Sequence, residues 1–260
     1  MSLLEDYYNS RDEEQRLLSQ HGQVEYLTTM KYIHECLSML NAPEILEVGA
    51  GTGRYSVALA KEGYPVTAVE LVPHNLDVLK SKLSGSEPIV AIQGNALDLS
   101  SFRDQSFDLT MLLGPMYHLY TFKDKIQALS EAVRVTKPGG YILVAYCMNE
   151  PTIIQYVFLG NKLQEVMNNN MLTDDWHCKS EPKEIFDLVR TEDISLLNSK
   201  FPIDRIKMVA TDGASHYFRD FIDAMDKNTF NKWMEYHFST CERQDLIGAS
   251  NHTLDILKVR

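Results

Sequence analysis

The amino-acid sequence predicts an α/β fold in which helices cover a doubly wound, mostly parallel sheet. Between residues 44 and 146, short apolar runs alternate with stretches whose apolar residues recur every three or four positions. Apolar strands separated by helices indicate βαβ units around a sheet that is buried on both faces. A glycine-rich turn follows the first run and an acid ends the second, where such sheets bind ligands.

The predicted elements follow one another in regular order. In the core we predict strands at residues 44–49, 65–70, 88–92, 107–113 and 140–146, and helices at residues 54–63, 74–83 and 122–135. A helix precedes them, because apolar residues recur in steps of four and three up to Leu40, and Pro43 then ends the pattern. Two later strands, at residues 205–211 and 253–259, give a sheet of seven, closed by an antiparallel strand.

The regular alternation stops near residue 150. Residues 151–200 are predicted to be helical, with stops at residues 168–170 and at Pro182, and residues 217–240 to be mostly helix. We therefore predict a helical lobe added to the sheet. The predicted division is an N-terminal helical lid (1–40), a ligand-binding core (41–150), a helical cap insertion (151–204) and a C-terminal part that completes the sheet (205–260).

The charge balance disfavours two classes of partner. The 260-residue chain carries 25 Lys+Arg against 36 Asp+Glu, which gives a formal net charge of −11. No basic cluster interrupts this acid excess, so the sequence lacks the positive face that nucleic acid or an anionic membrane surface requires. A hydrophobic content of 44% with 23% charged residues is typical of a globular protein.

The cysteines and the first residues favour a cytoplasmic location. Cys36, Cys147, Cys178 and Cys241 are scattered, without the paired spacing of a zinc site, so we predict free thiols and no metal. The first residues are acidic, unlike a signal peptide, and no apolar run is as long as a membrane span. We expect a monomer or a homodimer.

The strongest local signal is a glycine-rich turn at residues 47–53 (E-V-G-A-G-T-G), between a predicted strand and a predicted helix. Glycines at every second position let the backbone turn sharply and approach a ligand closely. A dinucleotide fingerprint would place a glycine at position 54, which is Arg54, and no P-loop lysine follows. Glu70 ends the next strand, where a carboxylate can accept both hydroxyls of a ribose.

These residues resemble class I S-adenosylmethionine-dependent methyltransferases of the type 11/25 kind, which have a Rossmann-like fold. Residues 47–53 match the first motif of that family, and Glu70 matches its acidic second-strand end. Three further segments match in order: G-N-A at 94–96, F-D with L-L-G-P at 107–115, and V-T-K-P-G-G at 135–140. The resemblance covers residues 44–146 and is loose beyond residue 150.

The resemblance implies S-adenosylmethionine as cofactor and assigns roles to residues. Those implied to contact the methionine part, the ribose or the adenine are Glu47, Gly49, Gly51, Gly53, Glu70, Leu71, Asn95, Ala96 and Leu113. Many family members have Asp in place of Asn95, whose amide still accepts a hydrogen bond. Tyr8 and Arg16 are second-rank contacts, because the N-terminal segment covers the cofactor in several relatives; a solvated face is the alternative.

Methyl transfer requires mainly the alignment of nucleophile, methyl group and sulfur. Tyr117 and His118 follow the fourth predicted strand, so they are our candidates for the catalytic positions, with His118 as a base. The alternative is that His118 caps a helix and Tyr117 fills the core. The loop lacks an Asp/Asn-Pro-Pro-Tyr motif, which together with the charge favours a small-molecule acceptor. The alternatives are a nicotinamide-dependent oxidoreductase and a non-catalytic cofactor-binding protein.

Overall fold

The computed structural model describes residues 3–10 and 15–260, and it has one mixed sheet with helices on both faces. The strands are β1 (Ile45–Val48), β2 (Val66–Glu70), β3 (Ile89–Gln93), β4 (Phe107–Leu112), β5 (Thr136–Met148), β6 (Leu188–Val189), β7 (Ile203–Ala210) and β8 (His252–Val259). Across the sheet they run in the order β3-β2-β1-β4-β5-β8-β7, and β6 pairs with β5.

The pairing directions confirm the predicted fold class. β1 to β5 pair in parallel, and β8 is antiparallel to both of its neighbours, β5 and β7. The sequence predicted seven of these strands, including the closing antiparallel one. The eighth, β6, has only two residues. A strand this short has no periodic pattern from which it could have been predicted.

The helices follow the predicted order in the core. They are α1 (Leu3–Asn9), α2 (Gln20–Leu37), α3 (Arg54–Lys61), α4 (Pro73–Ser81), α5 (Phe122–Val135), α6 (Asn149–Thr152), α7 (Leu163–Asn168), α8 (Thr191–Asn198), α9 (Arg219–Asp223), α10 (Lys227–Thr240) and α11 (Gln244–Ile247). Side-chain caps fix several starts: Thr121 accepts from the Asp124 N–H at α5, and Asp226 does the same for two N–H groups at α10.

The prediction of helix between its two stops, at residues 168–170 and Pro182, is wrong: α7 ends at Asn168 as predicted, but no helix resumes before the short turn at Pro182–Glu184. After α6, a π-helical turn (Ile153–Leu159) and α7, the chain is irregular except for a short 3-10 turn at Pro182–Glu184. Asn170, Trp176 and Ile185 have positive φ angles of 52°, 64° and 69°. An L-residue in this region cannot continue a right-handed helix, so these positions interrupt any helical run.

Both faces of the sheet are covered, which places ligand binding at its carboxyl edge. Neighbouring residues of one strand fall into different apolar clusters: Ile45 packs on one face and Leu46 on the other. β1, β2 and β4 end together at one edge, so the loops that follow them lie side by side. Within residues 3–10 and 15–260, no helix is long and apolar enough to cross a membrane.

Candidate active site

The glycine-rich turn after β1 has the close approach that the sequence predicted. Gly49 and Gly51 have φ angles of 76° and 55°. A Cβ at Gly49 would lie 2.6 Å from Cδ of Pro115, so only glycine lets these two loops touch. A Cβ at Gly51 would meet no atom within 4 Å, because this position faces open space. Gly49 therefore allows the turn to pack against Pro115, and Gly51 leaves space for a ligand.

Gly53 does not reach the same space, although it was predicted to contact the cofactor. It is the N-cap of α3, with φ 82°, and it is not part of the cavity wall described below. A Cβ there would lie 2.5 Å from Cγ of Leu79. The third glycine is thus required for the packing of α3 against α4, and we assign it a structural role.

Glu70 ties the two ligand-binding loops together. Its Oε2 accepts the Gly51 N–H at 2.7 Å, and its Oε1 accepts the Val72 N–H at 2.8 Å. Burial raises the pKa of this carboxyl group, and hydrogen bonds from backbone N–H groups partly oppose that rise. Each carboxylate oxygen has a further lone pair, so Glu70 can hold the turn and still accept from ligand hydroxyls.

Glu47 lies deeper and is almost completely buried, at 1% exposure. The Ser56 hydroxyl donates a hydrogen bond to its Oε2. Burial raises the pKa of Glu47 to about 8, so the carboxyl group is mostly protonated at neutral pH. A cationic amine placed beside it would favour the ionised form, which makes Glu47 suitable for an α-amino group.

One cavity collects nearly all of the predicted contacts at the carboxyl edge of β1, β2 and β4. Those on its wall are Tyr8, Arg16, Glu47, Gly49, Gly51, Glu70, Leu71, Asn95, Ala96, Leu113, Tyr117 and His118. The Asn95 Oδ1 accepts the Leu97 N–H at 3.0 Å, which shapes the turn after β3. Leu71 is 42% exposed and offers an apolar side chain over the cavity rim.

His118 is held at both ring nitrogens. One ring nitrogen, Nδ1, lies 2.8 Å from the carbonyl oxygen of Ile185, so it must carry the proton and donate. The other, Nε2, then accepts the Tyr8 hydroxyl at 2.8 Å. Burial lowers the pKa of His118 to about 4, which keeps the ring neutral at physiological pH. The imidazole is therefore an oriented hydrogen-bond acceptor.

Tyr117 is fixed in the same loop. Its hydroxyl donates to the carbonyl oxygen of Leu113 at 2.9 Å. Burial raises the pKa of this hydroxyl, so it stays protonated and does not ionise. The ring lies on the cavity wall, and its centroid is 4.9 Å from that of His118.

Sequence reasoning missed Phe186, which completes a ring cluster at this end of the cavity. Its ring centroid lies 5.4 Å from that of His118, 5.9 Å from that of Tyr117 and 5.6 Å from that of Tyr7. Phe186 belongs to the irregular part of the cap and matches no motif. Only the fold brings it here, so no local signal in the sequence could have found it.

Arg16 reaches the cavity wall while it pairs with Glu25. Its two terminal nitrogens donate to the Glu25 carboxylate at 2.8 and 3.1 Å. Glu25 also lies 3.5 Å from Nδ1 of His252, which is 2.8 Å from Asp212. These carboxylates raise the pKa of His252 well above its usual value, so the ring is protonated. Two cations and two anions thus form a balanced ion network beside the site.

Part of the chain is similar in sequence to known proteins. Residues 46–144 match the sequence profile of the Methyltransferase domain family. The ubiquinone biosynthesis O-methyltransferase of Alkalilimnicola ehrlichii is 26% identical over 66% of this chain and 68% of that protein. A demethylmenaquinone methyltransferase of Staphylococcus aureus is 31% identical over 47% of this chain, which spans only 50% of that protein.

A solved structure shows the same fold over nearly the whole chain. The S-adenosylmethionine-dependent methyltransferase structure from Methanosarcina mazei superposes with a TM-score of 0.58 at 17% identity, covering 88% of this chain and 96% of that chain. The fold and the site together define a Rossmann-like protein with a buried acid, Glu70, at the end of its second strand. Residues 46–144 are similar to methyltransferase domains, and the fold around them is that of S-adenosylmethionine-dependent methyltransferases.

Proposed function

We propose that this protein transfers a methyl group from S-adenosylmethionine to a small-molecule acceptor. The observation that carries the proposal is the meeting of two features in one cavity. At one side, Gly51 leaves space for a ligand beside the Glu70 carboxylate. At the other, Tyr117 and His118 form a ring-lined end. A cofactor held by the first feature would present its reacting end to the second.

The residues present fit the cofactor in charge and hydrogen bonding. Glu70 would accept the ribose hydroxyls, and Glu47 would receive the α-amino group as it loses its own proton. Arg16 would face the carboxylate, with Glu25 orienting its guanidinium group. Leu71 would cover one adenine face, and Asn95 with Ala96 would border the adenine edge.

S-adenosylmethionine supplies a methyl group already activated by a sulfonium, so the protein's main contribution is orientation. Holding two reactants in line lowers a barrier by roughly 7–11 kcal/mol. We propose that His118 and Tyr8 supply part of this orientation: Nε2 fixes the Tyr8 hydroxyl, whose oxygen can then accept a proton-bearing group of the acceptor. With its pKa lowered to about 4, His118 orients the acceptor more readily than it stores a proton.

The alternatives are weaker on specific grounds. A nicotinamide-dependent oxidoreductase would have glycine where this chain has Arg54, and the family match lies elsewhere. A binding protein without turnover would keep Glu70 and the glycines but has no need of the Tyr8–His118 pair.

A small acceptor, a cytoplasmic location and a monomeric or homodimeric state complete the proposal. The names of two relatives refer to ubiquinone and to demethylmenaquinone, and both compounds are small molecules. The net charge of −11 disfavours nucleic acid as a substrate. Four scattered cysteines without paired spacing support the cytoplasmic location.

Calorimetric titration tests the cofactor. We expect S-adenosylmethionine and S-adenosylhomocysteine to bind and NAD not to bind. Binding of NAD without either sulfur compound would overturn the proposal. Release of S-adenosylhomocysteine during an acceptor screen then separates an enzyme from a binding protein.

Glu70→Gln should weaken S-adenosylhomocysteine binding by about 30-fold. The amide replaces a charged acceptor for ribose hydroxyls, and its NH₂ group would face a backbone N–H now bonded to the carboxylate. Hydrogen bonds to charged groups contribute about 1.5–3 kcal/mol. Glu235→Gln is the matched control, since that carboxylate is exposed, pairs with Lys232 on α10 and lies outside the cavity wall. Equal affinities in both variants would show that Glu70 does not bind the ribose.

A further inference from the structure

A second cavity lies in the cap, with Phe186 on its wall. Its volume is about 590 Å³. Its wall is built by the π-helical turn, α7 and the irregular segment that follows, and it includes Tyr156, Val157, Val166, Met171, Leu172, Phe186 and Leu188. Neither the sequence motifs nor the family match extends to these residues.

Phe186 connects the wall of the cap cavity with the ring-lined end of the cofactor cavity. It lines the cap cavity, and its ring also packs against Tyr117 and His118, which line the cofactor cavity. A molecule in the cap cavity would therefore contact the same aromatic side chain that packs against the ring-lined end.

The backbone around Phe186 is fixed against the loop after β4. The carbonyl oxygen of Ile185 accepts from His118 Nδ1 at 2.8 Å and from the Tyr120 hydroxyl at 2.6 Å. The Asp187 N–H donates to the carbonyl oxygen of Tyr117 at 2.7 Å. Ile185 itself has a φ of 69°, which is unfavourable for a β-branched residue. Such strain persists where surrounding contacts impose it, and it is common at ligand-binding positions.

The cap cavity suits an uncharged, apolar ligand. Seven of its fifteen wall residues are aliphatic or aromatic, and its charged members, two lysines and two glutamates, balance to no net charge. Lys183 lies 3.6 Å from Glu184, and Glu165 pairs with Lys162 at 2.7 Å. A charged ligand would have to compete with these pairs, whereas an apolar one gains about 25 cal/mol for each Å² it buries.

The π-helical turn at Ile153–Leu159 supports a ligand-binding role for this wall. It contributes Tyr156 and Val157 to the cavity. π-helical turns are rare and occur frequently at functional sites. Tyr156 is also 45% exposed, so the cavity has an apolar residue at its solvent side.

We propose that the cap cavity holds the apolar body of an uncharged acceptor, with Phe186 positioning it against the ring-lined end. This inference rests on the proposed function, because it names the class of molecule that the methyl transfer would modify. Phe186 is the positioning residue, and Leu172 and Met171 set how much apolar bulk the acceptor can carry.

The test uses N-phenyl-1-naphthylamine, a neutral apolar dye whose fluorescence rises in an apolar site. It is titrated into the full chain saturated with S-adenosylhomocysteine. We expect micromolar binding, reduced at least 10-fold by Leu172→Trp or Met171→Trp, which fill the cavity. Leu163→Trp is the matched control, since Leu163 lies on α7 in the same lobe but outside the cavity wall.

The titration of S-adenosylhomocysteine into each variant is a separate measurement. Unchanged affinity for it shows an intact fold and core, and its failure in the wild type would count against the proposed function alone. Equal dye affinity in the wild type and the tryptophan variants would overturn the cap-cavity inference, as would dye that displaces S-adenosylhomocysteine. With an acceptor in hand, Leu172→Trp should raise KM at least 10-fold and change kcat little; an unchanged KM would contradict the inference.

Discussion

The two ends of the cofactor cavity are built from the sequence in different ways. The Gly51–Glu70 hydrogen bond joins residues 19 positions apart, from the turn after β1 to the end of β2 in one βαβ unit. At the other end, Tyr8 and His118 are 110 positions apart, and His118 and Ile185 are 67 apart. The proposed cofactor end is therefore local in the sequence. The ring-lined end, where we propose that the acceptor binds and which we call the acceptor end, is an assembly of three distant segments.

The largest effect expected from this comparison is at the cofactor end. Gly51→Ala should lower S-adenosylhomocysteine affinity more than 100-fold, because the new methyl group would occupy space that no protein atom fills. The folded protein should lose only the backbone strain, about 1–2 kcal/mol. Calorimetry and thermal unfolding measure the two quantities separately.

Gly139→Ala is the matched control. Gly139 also has a positive φ, 79°, and open space at its Cβ position, but it lies outside the cavity wall. We expect a similar loss of stability and unchanged affinity. If both variants lost affinity equally, backbone strain and not the occupied space would be the cause, and the cofactor end would not be the rigid motif described here.

The contrast explains what could be predicted from the sequence. Glu47, Gly49, Gly51 and Glu70 were predicted as contacts from the family resemblance, whose first two motifs lie within residues 47–70, and all four line the cavity. Gly53 fits the same motif, yet its role against Leu79 depends on how α3 and α4 pack. Phe186 could not be found, because a single aromatic residue in an irregular segment has no periodicity and its neighbours are far away in the chain.

A smaller effect is expected at the acceptor end. His118→Gln should reduce kcat about 30-fold and leave S-adenosylhomocysteine affinity within twofold, because the Tyr8 hydroxyl loses its oriented acceptor. Tyr8→Phe should give a similar loss. The wild-type kcat should show no titration near pH 6.5, since His118 has a pKa of about 4. Wild-type kcat in both variants would contradict the orienting role. A change of wild-type kcat with an apparent pKa near 6.5 would contradict it as well.

The smallest effect is a pH dependence from Glu47. Its pKa of about 8 means that cofactor binding at neutral pH must release a proton. Affinity for S-adenosylhomocysteine should therefore rise about 10-fold from pH 6.5 to 8.5, with a binding heat that depends on the buffer. Methylthioadenosine, which lacks the amino acid part, is the control ligand and should show neither effect. Glu47→Gln should abolish both for S-adenosylhomocysteine.

Glu47 also makes the free energy of unfolding depend on pH, but in the opposite direction to the ligand affinity. Because burial raises its pKa, folded Glu47 binds a proton that the unfolded chain has lost between about pH 4.5 and pH 8. The free energy of unfolding without ligand should thus fall as pH rises through this window. Glu47→Gln should reduce that slope, and a slope unchanged in the variant would show that Glu47 does not titrate as described.

The position of β8 determines when the sheet can form during synthesis. β8 lies between β5 and β7 and is the partner through which β7 joins the sheet. On a ribosome, β1 to β5 could assemble as soon as they emerge, but one edge of β5 would stay open until residues 252–259 followed. An open strand edge invites pairing with other chains. The nascent protein therefore has a period of aggregation risk that ends only with this late strand.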